Sequence, residues 1–151
     1  TSLLVGCSLG QTISVITLNR QILRIIKQSI VRHRLEDRIG PCYPLDPDFT
    51  EEQPVAAFED PKDYVELFMG LARKCVKEGA DVIIPMEGIL AEVLASQGIG
   101  EVDGAVIMDG IGVPVMVAEM NAKMWKRTGT RVGRHWTYER PSDDVLRHYY
   151  P

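Results

Sequence analysis

The run Gly79-Ala80-Asp81-Val82-Ile83-Ile84-Pro85-Met86-Glu87-Gly88 decides how this chain is read. Its apolar centre is too short for a helix, is rich in β-branched residues and lies between glycines, which predicts a buried strand over residues 81–86. The carboxyl end of such a strand delivers Met86, Glu87 and Gly88 to a helix N-terminus, where α/β folds bind their ligands.

The same alternation continues outward on both sides. Residues 12–18 (Thr-Ile-Ser-Val-Ile-Thr-Leu) predict a strand preceded by a glycine-containing loop, Gly6 to Gly10, which lacks the Gly-Lys-Ser/Thr of a phosphate-binding loop. Asn19 can cap a helix over 20–37 with Ile22, Ile26 and Ile30 on one stripe. Residues 38–60 carry Pro41, Pro44, Pro47 and Pro54 and read as a long surface loop, a candidate lid, with at most a short strand near 42–45. Asp60-Pro61 then opens a helix whose inward face is Tyr64, Val65, Phe68, Leu71, Ala72, Cys75 and Val76, closed by Gly79. After the central strand come a helix over 88–97 ending at Gly98, a strand over 105–108, and a helix over 114–128 ending at Gly129. Short right-handed crossovers make this an α/β fold, a parallel sheet with helices on both faces of the flavodoxin-like or Rossmann-like three-layer kind. The domain is expected to span 1–130. The tail, 131–151, with Trp136, Tyr138, Tyr149 and Tyr150 among basic residues, is expected to pack on the domain or on a partner.

Composition agrees with one globular domain: 151 residues, 45% apolar and 25% charged. No apolar run is long enough to cross a bilayer, so no membrane association is expected. The N-terminus has no basic region ahead of its apolar residues, and the absence of an initiator Met hints that the chain begins partway into a longer product. Cys7, Cys42 and Cys75 are odd in number and widely spaced, which fits a reducing, cytoplasmic setting rather than a disulfide framework. Cys75 falls on an apolar helical stripe and reads as core. A net charge of −4 gives no global attraction to nucleic acid, although basic residues are dense over 20–38 and 123–140, where they interleave with apolar stripes as on solvated helix faces. His33, His135 and His148 are scattered, so neither a metal nor a cofactor is expected.

Parallel strands point their carboxyl ends to one edge, which should gather Thr17, Met86-Glu87-Gly88 and Asp109-Gly110 around one crevice. Three helix N-termini there would favour a small carboxylate. Gly88 and Gly110 either admit a ligand close to the backbone or serve tight turns. Glu87 and Asp109 have three readings: an acid/base pair, ligands of a divalent cation, or N-terminal helix residues stabilised by the macrodipole.

These residues resemble a known family. Over residues 2–134 the chain is similar to the second half of the Asp/Glu/hydantoin racemase superfamily, on three features in order: Ser14-Val15-Ile16-Thr17-Leu18 before a basic helix; Gly79-Ala80-Asp81-Val82-Ile83-Ile84 leading to a turn ending in Gly88; and Asp109-Gly110 before a helix containing Ala118-Glu119. The resemblance implies one half of a two-domain α/β protein with its site between the halves, and a dimer or larger homo-oligomer. It also implies cofactor-independent racemisation by two cysteines that take and return a proton beside a carboxyl or carbonyl group. The family's second cysteine usually sits in a Gly-Cys-Thr/Ala-Gly turn, and the matching positions here are Pro85, Met86, Glu87 and Gly88. Glu87 is then the nearby group able to act as base. Two functions follow as expectations: a racemase-like isomerase acting on a small carboxylate, amino acid or hydantoin-type ureide, with Glu87 and Asp109 catalytic and Thr17, Met86, Gly88 and Gly110 binding substrate; or a small-anion-binding or assembly module that kept the fold. An RNA-binding domain built on the basic segments is a third.

Overall fold

The computed structural model describes residues 1–49, 53–135 and 138–149; the side chains of 53–55 also lie outside the described set. The chain divides into two compact units, Thr1–Val115 and Met116–Pro151.

The first unit is built on a five-stranded sheet: β1 (Ile13–Thr17), β2 (Ile39–Pro44), β3 (Val82–Pro85), β4 (Glu101–Val102) and β5 (Ala105–Ile107), in the order β2-β1-β3-β5-β4. β2, β1, β3 and β5 are parallel, and β4 is an antiparallel edge strand paired to β5. The expected parallel α/β sheet is present, with this two-residue edge added. β4 was not foreseen because Gly100-Glu101-Val102-Asp103-Gly104 reads as a loop; Asp103 and Gly104 in fact turn it into a hairpin, both at positive φ (48° and 86°).

Helices cover both faces. α1 (Ser2–Leu9) and α2 (Arg20–Arg32) lie on one; α4 (Lys62–Lys77) and α5 (Gly88–Ser96) on the other, with α3 (Gln53–Glu59) packing against α4 and α5. Successive strand residues feed opposite cores, which is why β1 and β3 are buried along their whole length, Ser14 and Thr17 included. Ile13, Val15, Val82 and Ile84 join Leu3, Ile30 and Met108, whereas Ile16 and Ile83 join Tyr64, Phe68, Ala72, Cys75, Val93 and Leu94.

Several expectations need correction. Residues 2–9 form a helix, not a glycine loop; Gly6 fits there because a Cβ would press within 3.2 Å of Ile13 Cδ1 and Ile84 Cδ1. α2 stops at Arg32, and a 3₁₀ turn, Glu36–Arg38, leads into β2. The proposed lid over 38–60 is largely structured: it holds β2 and α3, and Leu45 and Phe49 are buried, their amides donating to Thr17 O (2.8 Å) and Leu18 O (3.1 Å). Pro41 and Pro44 hid this strand, yet β2 lies at the sheet edge, where a missing N–H is tolerated. Residues 50–52 of that segment lie outside the described set. Pro61, rather than Asp60, is the N-cap of α4, and Gly79 follows its C-cap at φ 98°.

The second unit holds most of α6 (Gly112–Thr128) and α7 (Asp143–Tyr149). Trp136 and Tyr150 of the aromatic tail lie outside the described residues. No helix among the described residues is long and apolar enough to cross a membrane.

Candidate functional site

The strand ends are joined by backbone hydrogen bonds that continue the ladders past the strands. The Met86 amide donates to Ile16 O (2.9 Å) and the Met108 amide to Ile83 O (2.9 Å). Two of the three expected turns touch directly. A Cβ at Gly110 would lie 2.8 Å from the Pro85 carbonyl oxygen and 3.3 Å from Ala91 Cβ, and one at Gly88 would lie 3.3 Å from Ile111 Cδ1. Both glycines therefore have a packing reason: the β3 and β5 turns are pressed against each other.

Glu87 stands at the N-cap of α5, and its Oε2 accepts from the Leu90 amide (3.0 Å). Its other carboxylate oxygen makes no hydrogen bond among the described residues. With Thr17, Leu45, Tyr64, Met86 and Leu90 it lines a closed crevice at the carboxyl ends of β1 and β3, too narrow in this conformation to hold a water molecule. Thr17 is buried, and its hydroxyl donates to Asn19 O (3.0 Å), so this side chain braces its own turn. Met86 is half-buried and packs on the α1/α2 core.

Asp109 braces the turn ahead of α6: its Oδ1 accepts from the Ile111 (2.9 Å) and Gly112 (2.8 Å) amides, the latter the first residue of the helix. It is exposed and lines a separate cavity of about 200 Å³ with Pro85, Ala91, Ile99 and Met108. Glu87 and Asp109 thus sit on neighbouring turns but line different spaces. Asn19 completes the set by accepting from the Ile22 amide at 2.9 Å. All three helix starts carry an acceptor from the chain itself, so the anion-binding capacity read from the sequence is partly used internally.

Tyr64 was read as core only. Its ring is buried, stacking obliquely on Phe49 and Phe68, each with centroids 6.0 Å apart. Yet it borders the crevice; burial first, and the Glu87 charge second, push its phenol well above the usual tyrosine range. A tyrosine one turn into an apolar stripe gives no sequence signal of that placement.

The cysteines stand apart from the crevice-lining residues. Cys7 is on α1 and Cys42 on β2, both against the α1/α2 core; burial raises the Cys42 thiol, partly offset by a hydrogen bond with the Val15 backbone and by Lys27. Cys75 is core as expected: burial pushes its thiol up to about 11 against the opposing effect of the Ser14 hydroxyl. That hydroxyl is itself buried, with no contact of good hydrogen-bond geometry. Among the described residues no cluster of His, Cys, Asp and Glu could hold a metal ion.

No family model and no curated protein sequence matches this chain. A solved structure does: allantoin racemase from Klebsiella pneumoniae superposes with a TM-score of 0.69 at 14% identity, covering 93% of this chain and 54% of that one. The chain has that racemase's fold. It spans about half the length of the racemase, and identity this low carries the architecture alone.

Proposed function

We propose that the carboxyl edge of the sheet binds a small cyclic ureide or amide and that Glu87 removes the proton on the carbon beside its carbonyl, giving a cofactor-independent, racemase-like isomerase. The observation that carries this reading is Glu87 itself: its Oε2 is fixed by the Leu90 amide, its second oxygen has no hydrogen-bond partner among the described residues, and its side chain lines the crevice shared with Thr17, Met86 and Tyr64. A carboxylate oriented by one oxygen and open at the other is a competent general base. The internal capping of α2, α5 and α6 moves the preferred substrate away from the free carboxylate expected from sequence. The Glu87 carboxylate at this crevice repels an anion but accepts from an N–H group of a neutral ureide. The ureide racemase fold supports the same class.

The test is exchange of the α-proton in D₂O, followed by NMR, with allantoin, 5-substituted hydantoins and dicarboxylates as candidates. Exchange with a ureide, lost in Glu87→Gln, is the expected result; no exchange with any candidate overturns it. A second reading, a binding or assembly module, is favoured by one observation: Glu87 caps α5 and Asp109 braces the turn before α6, roles complete without chemistry. Ligand-dependent thermal stabilisation without exchange supports that reading.

A further inference from the structure

We propose that the Met116–Pro151 unit is a docking arm that binds the acidic groove beside α4 on a second copy of this chain. The inference is independent of any chemistry at the strand ends.

The arm has no core among its described residues. None of the 17 residues of α6 and none of α7 is buried. Met116 (68% exposed), Met120 (55%) and Met124 recur every fourth residue and so share one stripe, with Trp125 beside them. Tyr138 and Tyr149 are exposed further along. Burying these side chains would remove apolar area on the order of several hundred Å² per arm, in the range of one side of a standard interface. Met124 and Trp125 border a cavity of about 650 Å³ that Arg131, Val132, Arg134 and Arg140 also line.

Charge names the occupant. Residues 116–151 contain seven Lys/Arg against four Asp/Glu, and residues 1–115 contain ten against seventeen, so the net −4 is a +3 arm on a −7 body. The negative charge is concentrated: residues 46–66 hold eight Asp/Glu and one Lys. There the body has a groove of about 590 Å³ with Asp46, Asp63 and Glu66 around Leu67, Gly70 and Leu71. Asp46 reaches Arg20 only at 3.9 Å with both side chains largely exposed, and Asp63 and Glu66 form no ion pair among the described residues.

Gly70 lies in the same groove. It sits inside α4, where glycine is weaker than alanine, and a Cβ there would meet nothing within 4 Å. The exposed glycine leaves the groove floor open to a partner's side chain. Two copies exchanging arms make the same contact twice, as a two-fold dimer requires.

The experiment is light scattering with size exclusion, and sedimentation, on the full chain at low and high salt. The expected species has twice the 16.9 kDa of one chain and dissociates as salt rises. A groove variant, Asp63→Lys with Glu66→Lys, and an arm variant, Arg131→Glu with Arg134→Glu, should each be monomeric, at least ~100-fold weaker in self-association, with unchanged circular dichroism. Mixing the two should restore a heterodimer, because both exchanged contacts are again complementary; an arm folded on its own body cannot give this. Gly70→Trp should also block association. A wild type that is monomeric, a dimer indifferent to both variants, or a mixture that stays monomeric overturns the proposal.

Discussion

Replacing Glu87 by Gln and by Ala separates the cap from the base. The cap bond, Oε2 to the Leu90 amide at 3.0 Å, can be kept by the amide oxygen of Gln; only the favourable charge at the start of α5 is lost, about 0.3–1 kcal/mol. Ala removes bond and charge together, about 1–2 kcal/mol. In a domain of this size that is roughly 1–4 °C for Gln and 2–8 °C for Ala by thermal melt. Activity should follow the opposite logic. Losing a general base costs about 10²–10⁴ in exchange rate, about 3–5 kcal/mol of barrier, and Gln loses it as fully as Ala. The decisive pattern is therefore a Gln variant that melts close to wild type yet fails to exchange the α-proton of a ureide. A Gln variant that exchanges at the wild-type rate refutes Glu87 as the base, and one that melts as low as Ala refutes the cap geometry.

Gly110→Ala puts a methyl 2.8 Å from the Pro85 carbonyl oxygen, and should lower stability by about 1–3 kcal/mol in urea unfolding, whereas Gly88→Ala meets only the flexible end of Ile111 and should cost less. Phe68→Ala opens the fully buried α4 face and should cost about 3–5 kcal/mol, read as a lower urea midpoint. Gly70→Ala should stabilise the folded chain by about 0.5–1 kcal/mol in thermal melts while weakening self-association, since its Cβ has open space in one chain. Cys75 keeps its proton when folded up to about pH 11 against 9.0 unperturbed. Unfolding then releases a proton between these values, so stability falls as pH rises through that window and is recovered in part by Cys75→Ala.

The fold was legible where periodicity and punctuation agree. β1, β3 and β5 followed from β-branched runs, α2 from Asn19 and its isoleucine stripe, and α4 and α5 from apolar spacing closed by Gly79 and Gly98. It was illegible where a local signal opposed a tertiary one. Pro41 and Pro44 argue against a strand until the sheet order places them on an edge, a fact that no window of sequence contains. Residues 2–9 lack polar–apolar alternation because α1 packs closely on the sheet through Leu3 and Gly6, so a helix looked like a loop.

At the site, sequence located the turns but not the use of their polar atoms. Gly88 and Gly110 could equally admit a ligand or another backbone, and their neighbours, Ile111 and the Pro85 carbonyl, come from the opposite turn. The same holds for Glu87, Asp109 and Asn19: an acceptor ahead of a helix is compatible with a bound anion, a base or a cap, and only distance distinguishes them. Each accepts from an amide two or three residues on, at 2.8–3.0 Å. A carboxylate in that position stabilises its helix and repels an incoming anion in the same place. The bonds that hold these turns in shape therefore bear on the proposed chemistry too, since they occupy helix-start amides internally and, on the reading proposed above, favour a ligand that brings N–H donors to Glu87.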